Sequence, residues 1–180
     1  MSNASDGQAV ILRKFRIVLG LFIVALVLSG LTAFPLEREL ETLCSIRGLE
    51  TARAADVHNG LDSWLLTIRD GLHDTYTKYP WIGYGTDWLA FAHIVIAVFF
   101  IGPFLNPVRN VWVLQAGLLA CALVLPLALI CGPIRQIPFG WRLIDCSFGV
   151  IGAMPLFYCL RLVRAIEKTP SALGQCPIKG

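Results

Sequence analysis

The chain is poor in charge, in histidine and in methionine. Asp, Glu, Lys and Arg make up 15% of its 180 residues, against about 25% in an average soluble domain. That excludes a disordered polyelectrolyte and a domain that binds nucleic acid through a basic surface, so no nucleic-acid partner is expected. There are three histidines, His58, His73 and His93. None stands in an H-x-x-x-H or H-E-x-x-H spacing, so no helical face offers two imidazoles to a metal. Neither a metal site nor a cofactor is expected. There is also no Walker A run, no G-x-G-x-x-G, no G-x-S-x-G and no D-x-D pair. Nucleotide hydrolysis and serine-hydrolase chemistry therefore have no support.

What the chain has in quantity is apolar residues, 56% of the total, with a mean hydropathy of +0.68. A helix needs about 20 largely apolar residues to cross the hydrocarbon core of a bilayer. Four segments qualify: Ile17–Phe34, 86–105 opened by Thr86 and Asp87 as N-cap candidates, Val111–Cys131, and Leu143–Val163. Unpaired strand edges find no water at that depth, so helices are the reading. The apolar stretch of the first segment exceeds the usual signal-peptide core of about 7–15 residues, and it is read as an uncleaved anchor. The expected fold is all-α, a bundle of four transmembrane helices.

Lys and Arg near the spans set the orientation. With residues 1–16 in the cytoplasm, Arg13, Lys14, Arg16, Arg109, Arg161, Arg164, Lys168 and Lys179 lie inside, opposed only by Asp6 and Glu167. The expectation is N-in and C-in, with 164–180 a cytoplasmic tail, in a cell membrane (the inner one in a Gram-negative bacterium). The turns 106–110 and 132–142 are short, which predicts that spans two, three and four are antiparallel neighbours. Small residues recur at every fourth position, as Ala25/Ser29/Ala33, Gly117/Cys121 and Gly149/Ala153. Such rows let helices approach closely. Pro126 and Pro155 fall inside spans and each frees a backbone carbonyl.

Residues 35–85 form the long outer connection. Leu36, Leu40 and Leu43 recur at helical spacing, followed by Leu61, Trp64, Leu65, Ile68, Leu72 and Tyr76. Each is the stripe of an amphipathic helix. Asn59 or Asp62 can cap the second, whose polar face carries Asp62, Arg69, Asp70, His73 and Asp74. The segment is thus a helical extracytoplasmic cap, followed by an interfacial turn rich in aromatics, Tyr79 to Gly85.

Ionisable groups in or beside spans are functional candidates, because burying them is costly. Asp87, His93, Arg135, Arg142 and Asp145 fall in the outer third on this topology. His93 lies about 9 Å along its helix from Asp87, at 1.5 Å per residue. Arg142 is three residues before Asp145, within pairing reach on one helical face. The five together define a candidate polar pocket facing outward, able to bind an anionic group or to do acid–base work. Each also has a plain structural role as cap, ion pair or interhelical hydrogen bond.

Of the six cysteines, Cys44, Cys131 and Cys146 are placed on or near the outer side, where disulfides persist. Cys131 and Cys146 flank one turn and form the candidate disulfide. There is no C-x-x-C pair, the motif of the membrane thiol oxidases that share this layout of four spans, so thiol-redox catalysis is not expected. With no catalytic signature, the expected function is that of a non-catalytic membrane component. It would bind a partner protein, a second copy or lipid through its cap. The alternative is a membrane enzyme or ligand-binding protein using the outward pocket.

Overall fold

The computed structural model describes residues 2–58 and 60–168, with side chains from residue 6 onward. The order is α1 (Ser2–Ala33), α2 (Leu36–Ile46), a 3₁₀ turn (Ala54–Asp56), α3 (Gly60–Lys78), a second 3₁₀ turn (Pro80–Ile82) and α4 (Gly83–Phe99). Then come α5 (Ile101–Leu105), α6 (Val111–Pro126), a π-helical segment (Leu127–Cys131), α7 (Gly132–Ile134) and α8 (Phe139–Lys168). No strand occurs among the described residues. Four stretches are long and apolar enough to cross a membrane: Asp6–Ala33, Pro80–Leu105, Val111–Ile134 and Phe139–Lys168. All four are longer at one or both ends than the apolar runs alone predict. Large apolar side chains such as Leu21, Leu119, Phe148 and Met154 stand exposed on them, as expected where the solvent is lipid.

Prolines set the breaks. Pro35 disfavours a helical Phe34; α1 stops at Ala33, and α2 restarts with Glu39 N–H donating to the Pro35 carbonyl at 3.0 Å. Pro103 has no N–H to give to the Phe99 carbonyl, and the helix is interrupted at Phe100 between α4 and α5. Pro126 leaves the Ala122 carbonyl free, and the backbone widens into the π segment directly after it. The third span therefore runs on to Ile134 rather than ending at Cys131.

The chain divides into two compact units. One comprises the described residues up to Val24 and from Val98 onward; the other is Ala25–Ala97. In the first unit α6 packs along α8. A Cβ on Gly149 would stand 2.6 Å from the Cys121 carbonyl oxygen, and one on Gly117 would stand 2.8 Å from the Phe100 ring. Two of the small-residue rows thus lie in helix contacts. The core holds Phe15, Leu19, Phe100, Leu114, Leu156, Cys159 and Val163, all buried, and Phe22 meets Phe100 edge to face at 5.0 Å. Asn110 buckles the α5–α6 turn, its Nδ2 donating to the carbonyls of Gly102 and Asn106, both at 3.1 Å.

In the second unit α2 and α3 form an antiparallel hairpin around Leu40, Cys44, Leu65 and Leu66, with Leu36, Leu49, Val57, Ile68 and Leu72 packed against them. Each large aliphatic residue buried there contributes about 1.5–3 kcal/mol. Gly48 closes α2 at φ +68°. Its N–H donates to Ser45 and that of Leu49 to Cys44, at 2.9 and 2.8 Å. That pattern is a Schellman ending, in which glycine takes the left-handed position without a Cβ penalty. Where α1 approaches α4 the close contact runs through Gly30, not through the row Ala25, Ser29, Ala33. A Cβ on Gly30 would lie 2.8 Å from the Ala90 carbonyl, whereas Ala25 and Ser29 are exposed.

Candidate functional site

The five residues of the candidate pocket divide between the units. Asp87 and His93 are on α4 in the second unit; Arg135, Arg142 and Asp145 belong to the first. Each group is described within its own unit.

Helix α4 begins at Gly83, three residues before the expected cap, because Pro80 starts a 3₁₀ turn that leads directly into it. Thr86 consequently sits inside the first turn. Its hydroxyl donates to the Gly83 carbonyl at 2.6 Å and accepts from Tyr76 Oη at 3.0 Å. The Tyr76 ring lies over Gly83, where a Cβ would stand 3.5 Å from it. The end of α3 is tied to the start of α4 in this way. Asp87 is half-buried, and among the described residues its carboxylate has no hydrogen bond or ion pair. His93 Nδ1–H donates to the Leu89 carbonyl one turn back, at 2.8 Å. That bond lies within the helix and leaves Nε2 as the acceptor.

In the first unit Arg142 does not pair with Asp145. Its aliphatic stem lies against Gly132, where a Cβ would stand 2.7 Å from Arg142 Cγ. Its guanidinium is 5.2 Å from the Phe139 ring centroid, and its Nε is buried without a hydrogen-bond partner. The absent side chain at Gly132 draws the arginine back along the chain, away from the carboxylate three residues ahead. Arg135 is exposed at the end of α7, where Gln136 takes φ +57°. Cys131 is exposed and Cys146 half-buried; both are free thiols, as are Cys44, Cys121 and Cys159. Cys176 lies outside the described residues. No group of three His, Cys, Asp or Glu side chains able to hold a metal occurs among the described residues.

The α2–α3 hairpin holds what periodicity misplaced. Arg69, assigned to the outer polar face, points inward. Its Nη1 donates to the Leu49 carbonyl at 3.1 Å and its Nη2 to the Ala52 carbonyl at 3.0 Å, with a longer contact to Glu50. Asp70 fixes its Nε at 2.8 Å. The side chain is 17% exposed. Arg69 thus clamps the α2–α3 connection onto α3. The signal was present in the spacing, since residue 69 follows Leu65 by four and Leu66 by three. Leu43 and Leu61, assigned to the buried stripes, are exposed, while Leu66 and Cys44 are buried.

Two ion pairs bracket the hairpin. Arg47 Nε meets Asp62 Oδ1 at 2.6 Å at one end, and His73 Nδ1 meets Glu37 Oε1 at 2.8 Å at the other. Asp62 therefore contacts the end of α2, and Asn59 lies outside the described residues. The hydrogen bond to Glu37 and then its charge raise the pKa of His73, with Asp74 and Glu41 adding to the shift.

No family model, curated protein or solved structure matches the chain.

Proposed function

We propose that the protein is a non-catalytic, multi-pass component of a cell membrane, with both termini in the cytoplasm. Its helical cap lies outside, where it docks a partner protein or lipid. The observation that carries this reading is the tip of the cap. The hairpin has its own core and its own clamp, so it is a built element and not slack chain. At the end away from its connections to α1 and α4 it exposes Ile46 (78%), Leu43 (43%) and Leu61 (46%) beside the Arg47–Asp62 pair. A buried interface places such residues under a partner. The reading needs no cofactor or metal.

A photo-crosslinking residue at position 46, used in the native membrane, tests it. One discrete adduct is expected, lost in Leu61→Glu. An adduct of twice the chain mass identifies a second copy as the partner. A smear like that from an exposed control position such as Thr77 refutes the reading.

A second reading is favoured by the absence of an Arg142–Asp145 pair, which leaves two opposite charges uncommitted. In it Asp87 and His93 within the second unit, and Arg135, Arg142 and Asp145 within the first, are the polar groups that serve a ligand or a reaction. Oxidation of Cys131 and Cys146 to a bridge belongs to the same outer face and reads out as two fewer alkylatable thiols. His93→Ala and Asp145→Asn then abolish activity with folding intact; loss of stability alone supports the structural roles.

A further inference from the structure

The base of the cap holds a cleft of about 680 Å³ whose walls include Phe34, Glu37, Arg38, Tyr84, Thr86 and Asp87. A smaller, mainly apolar groove of about 240 Å³ adjoins it, lined by Phe34, Tyr84, Asp87, Trp88 and Phe91. Phe34, Tyr84 and Asp87 are common to both, so one surface passes from polar to apolar at these three residues. We propose that this surface binds a phospholipid whose headgroup carries both an ammonium and a phosphate. The proposal rests on the membrane reading above and not on the partner reading.

The charges decide the chemistry. Three charge-bearing side chains line the larger cleft: Glu37, Arg38 and Asp87. Glu37 is committed to His73. Asp87 is half-buried and without a partner among the described residues, flanked by the Tyr84 and Trp88 rings, which meet edge to face at 5.9 Å. A carboxylate beside aromatic faces suits an alkylammonium, which gains from the charge and from the ring quadrupoles together. Arg38 is exposed and has no side-chain partner among the described residues, and guanidinium suits phosphate. A purely anionic headgroup would meet Arg38 but also two carboxylates. The apolar groove accounts for acyl chain, and the aromatic run Tyr79, Trp81, Tyr84 and Trp88 is exposed, as is usual at headgroup level. Thr86 and Tyr76 are satisfied by each other, so they shape the wall without requiring a ligand.

The test uses the full chain, stripped of lipid in mild detergent and offered equimolar phosphatidylethanolamine and phosphatidylglycerol, with retained lipid read by native mass spectrometry. One phosphatidylethanolamine per chain is expected, favoured about tenfold, as one charge-assisted contact implies. Phosphatidylcholine is retained likewise. Asp87→Asn removes the preference, and Asp87→Glu, which keeps the charge, restores most of it. Arg38→Gln weakens both lipids alike. Equal retention of phosphatidylglycerol, or an unaltered preference in Asp87→Asn, overturns the proposal. Competition by free phosphoethanolamine as strong as by the lipid overturns its lipid part. Leu61→Glu, which removes the partner contact, leaves lipid retention unchanged, so the two readings fail separately.

Discussion

Replacing Arg69 by Ala should open the α2–α3 hairpin and leave the spans in place. The guanidinium makes two well-formed hydrogen bonds to backbone carbonyls, at 3.1 and 3.0 Å. Hydrogen bonds to a charged group contribute about 1.5–3 kcal/mol each. The carbonyls of Leu49 and Ala52 lie near the surface, and water reaches them once the arginine is gone. The loss is therefore below the simple sum, about 2–4 kcal/mol. Cys44 reports it directly. The thiol is 1% exposed in the hairpin core and reacts only when the hairpin opens. Where closing outpaces labelling, the rate follows the opening equilibrium. The variant should then label about thirty- to seven-hundred-fold faster, since each 1.4 kcal/mol is a factor of ten. Peptide mass mapping after alkylation separates Cys44 from the other five cysteines. Arg69→Lys keeps the charge but loses the planar fork, and should fall between the two. A Cys44 rate in Arg69→Ala within threefold of the parent refutes the clamp.

Other outcomes follow from the same geometry. His73 should titrate above its usual value near 6.5, by NMR of its ring, and fall toward that value in Glu37→Gln. Because the folded value is the raised one, the pair's contribution to stability is complete below the unfolded pKa and is lost as pH rises through the folded pKa. Gly149→Ala should push α8 off the Cys121 carbonyl and lower the melting temperature, by about 1–3 kcal/mol of overpacking. Gly140→Ala, with nothing within 4 Å, should be neutral or stabilising. Ile46→Cys should label from outside intact cells with an impermeant maleimide, while Cys44 stays unlabelled until denaturation. Labelling at position 46 only after permeabilisation refutes an external cap.

The spans were legible because a bilayer imposes one requirement, length without charge, and a linear sequence displays both. Their ends were less so. Thr86 has the chemistry of an N-cap, but Pro80 starts a turn earlier and commits the helix at Gly83. Cys131 looks terminal because Gly132-Pro133 follows. Yet a proline costs little in the first turn of a new helical segment, and α7 adds that turn after the π segment. In the α2–α3 hairpin, apolar periodicity found both helices and most of each buried stripe, with Leu36, Leu40, Leu65, Ile68 and Leu72 in or against the core, but misplaced one edge of each. Leu43 and Leu61 count as core by type, whereas Cys44 and Leu66 are core by place. Hydropathy favours Leu43 over Cys44, and the register of α2 against α3, held by Arg47–Asp62 and His73–Glu37, turns Cys44 inward and adds Leu66 beside Leu65.

Polar residues resist such reading for a further reason: their partners are often backbone, or the space left by a glycine, and neither has a sequence signature. Arg142 stands three before Asp145, the spacing of a helical ion pair, and leaves it for Gly132 and Phe139. Arg69 stands among acids and spends its guanidinium mainly on carbonyls. Arg142 takes the volume left at Gly132, and Arg69 takes backbone acceptors together with the Asp70 carboxylate. A long cation with several donors can serve carbonyls and a carboxylate at once, as Arg69 does. Asp87 has neither kind of partner among the described residues. Among the described residues no cation has turned toward it, although Arg38 lines the same cleft; in the proposal above the ammonium of a bound lipid takes that place.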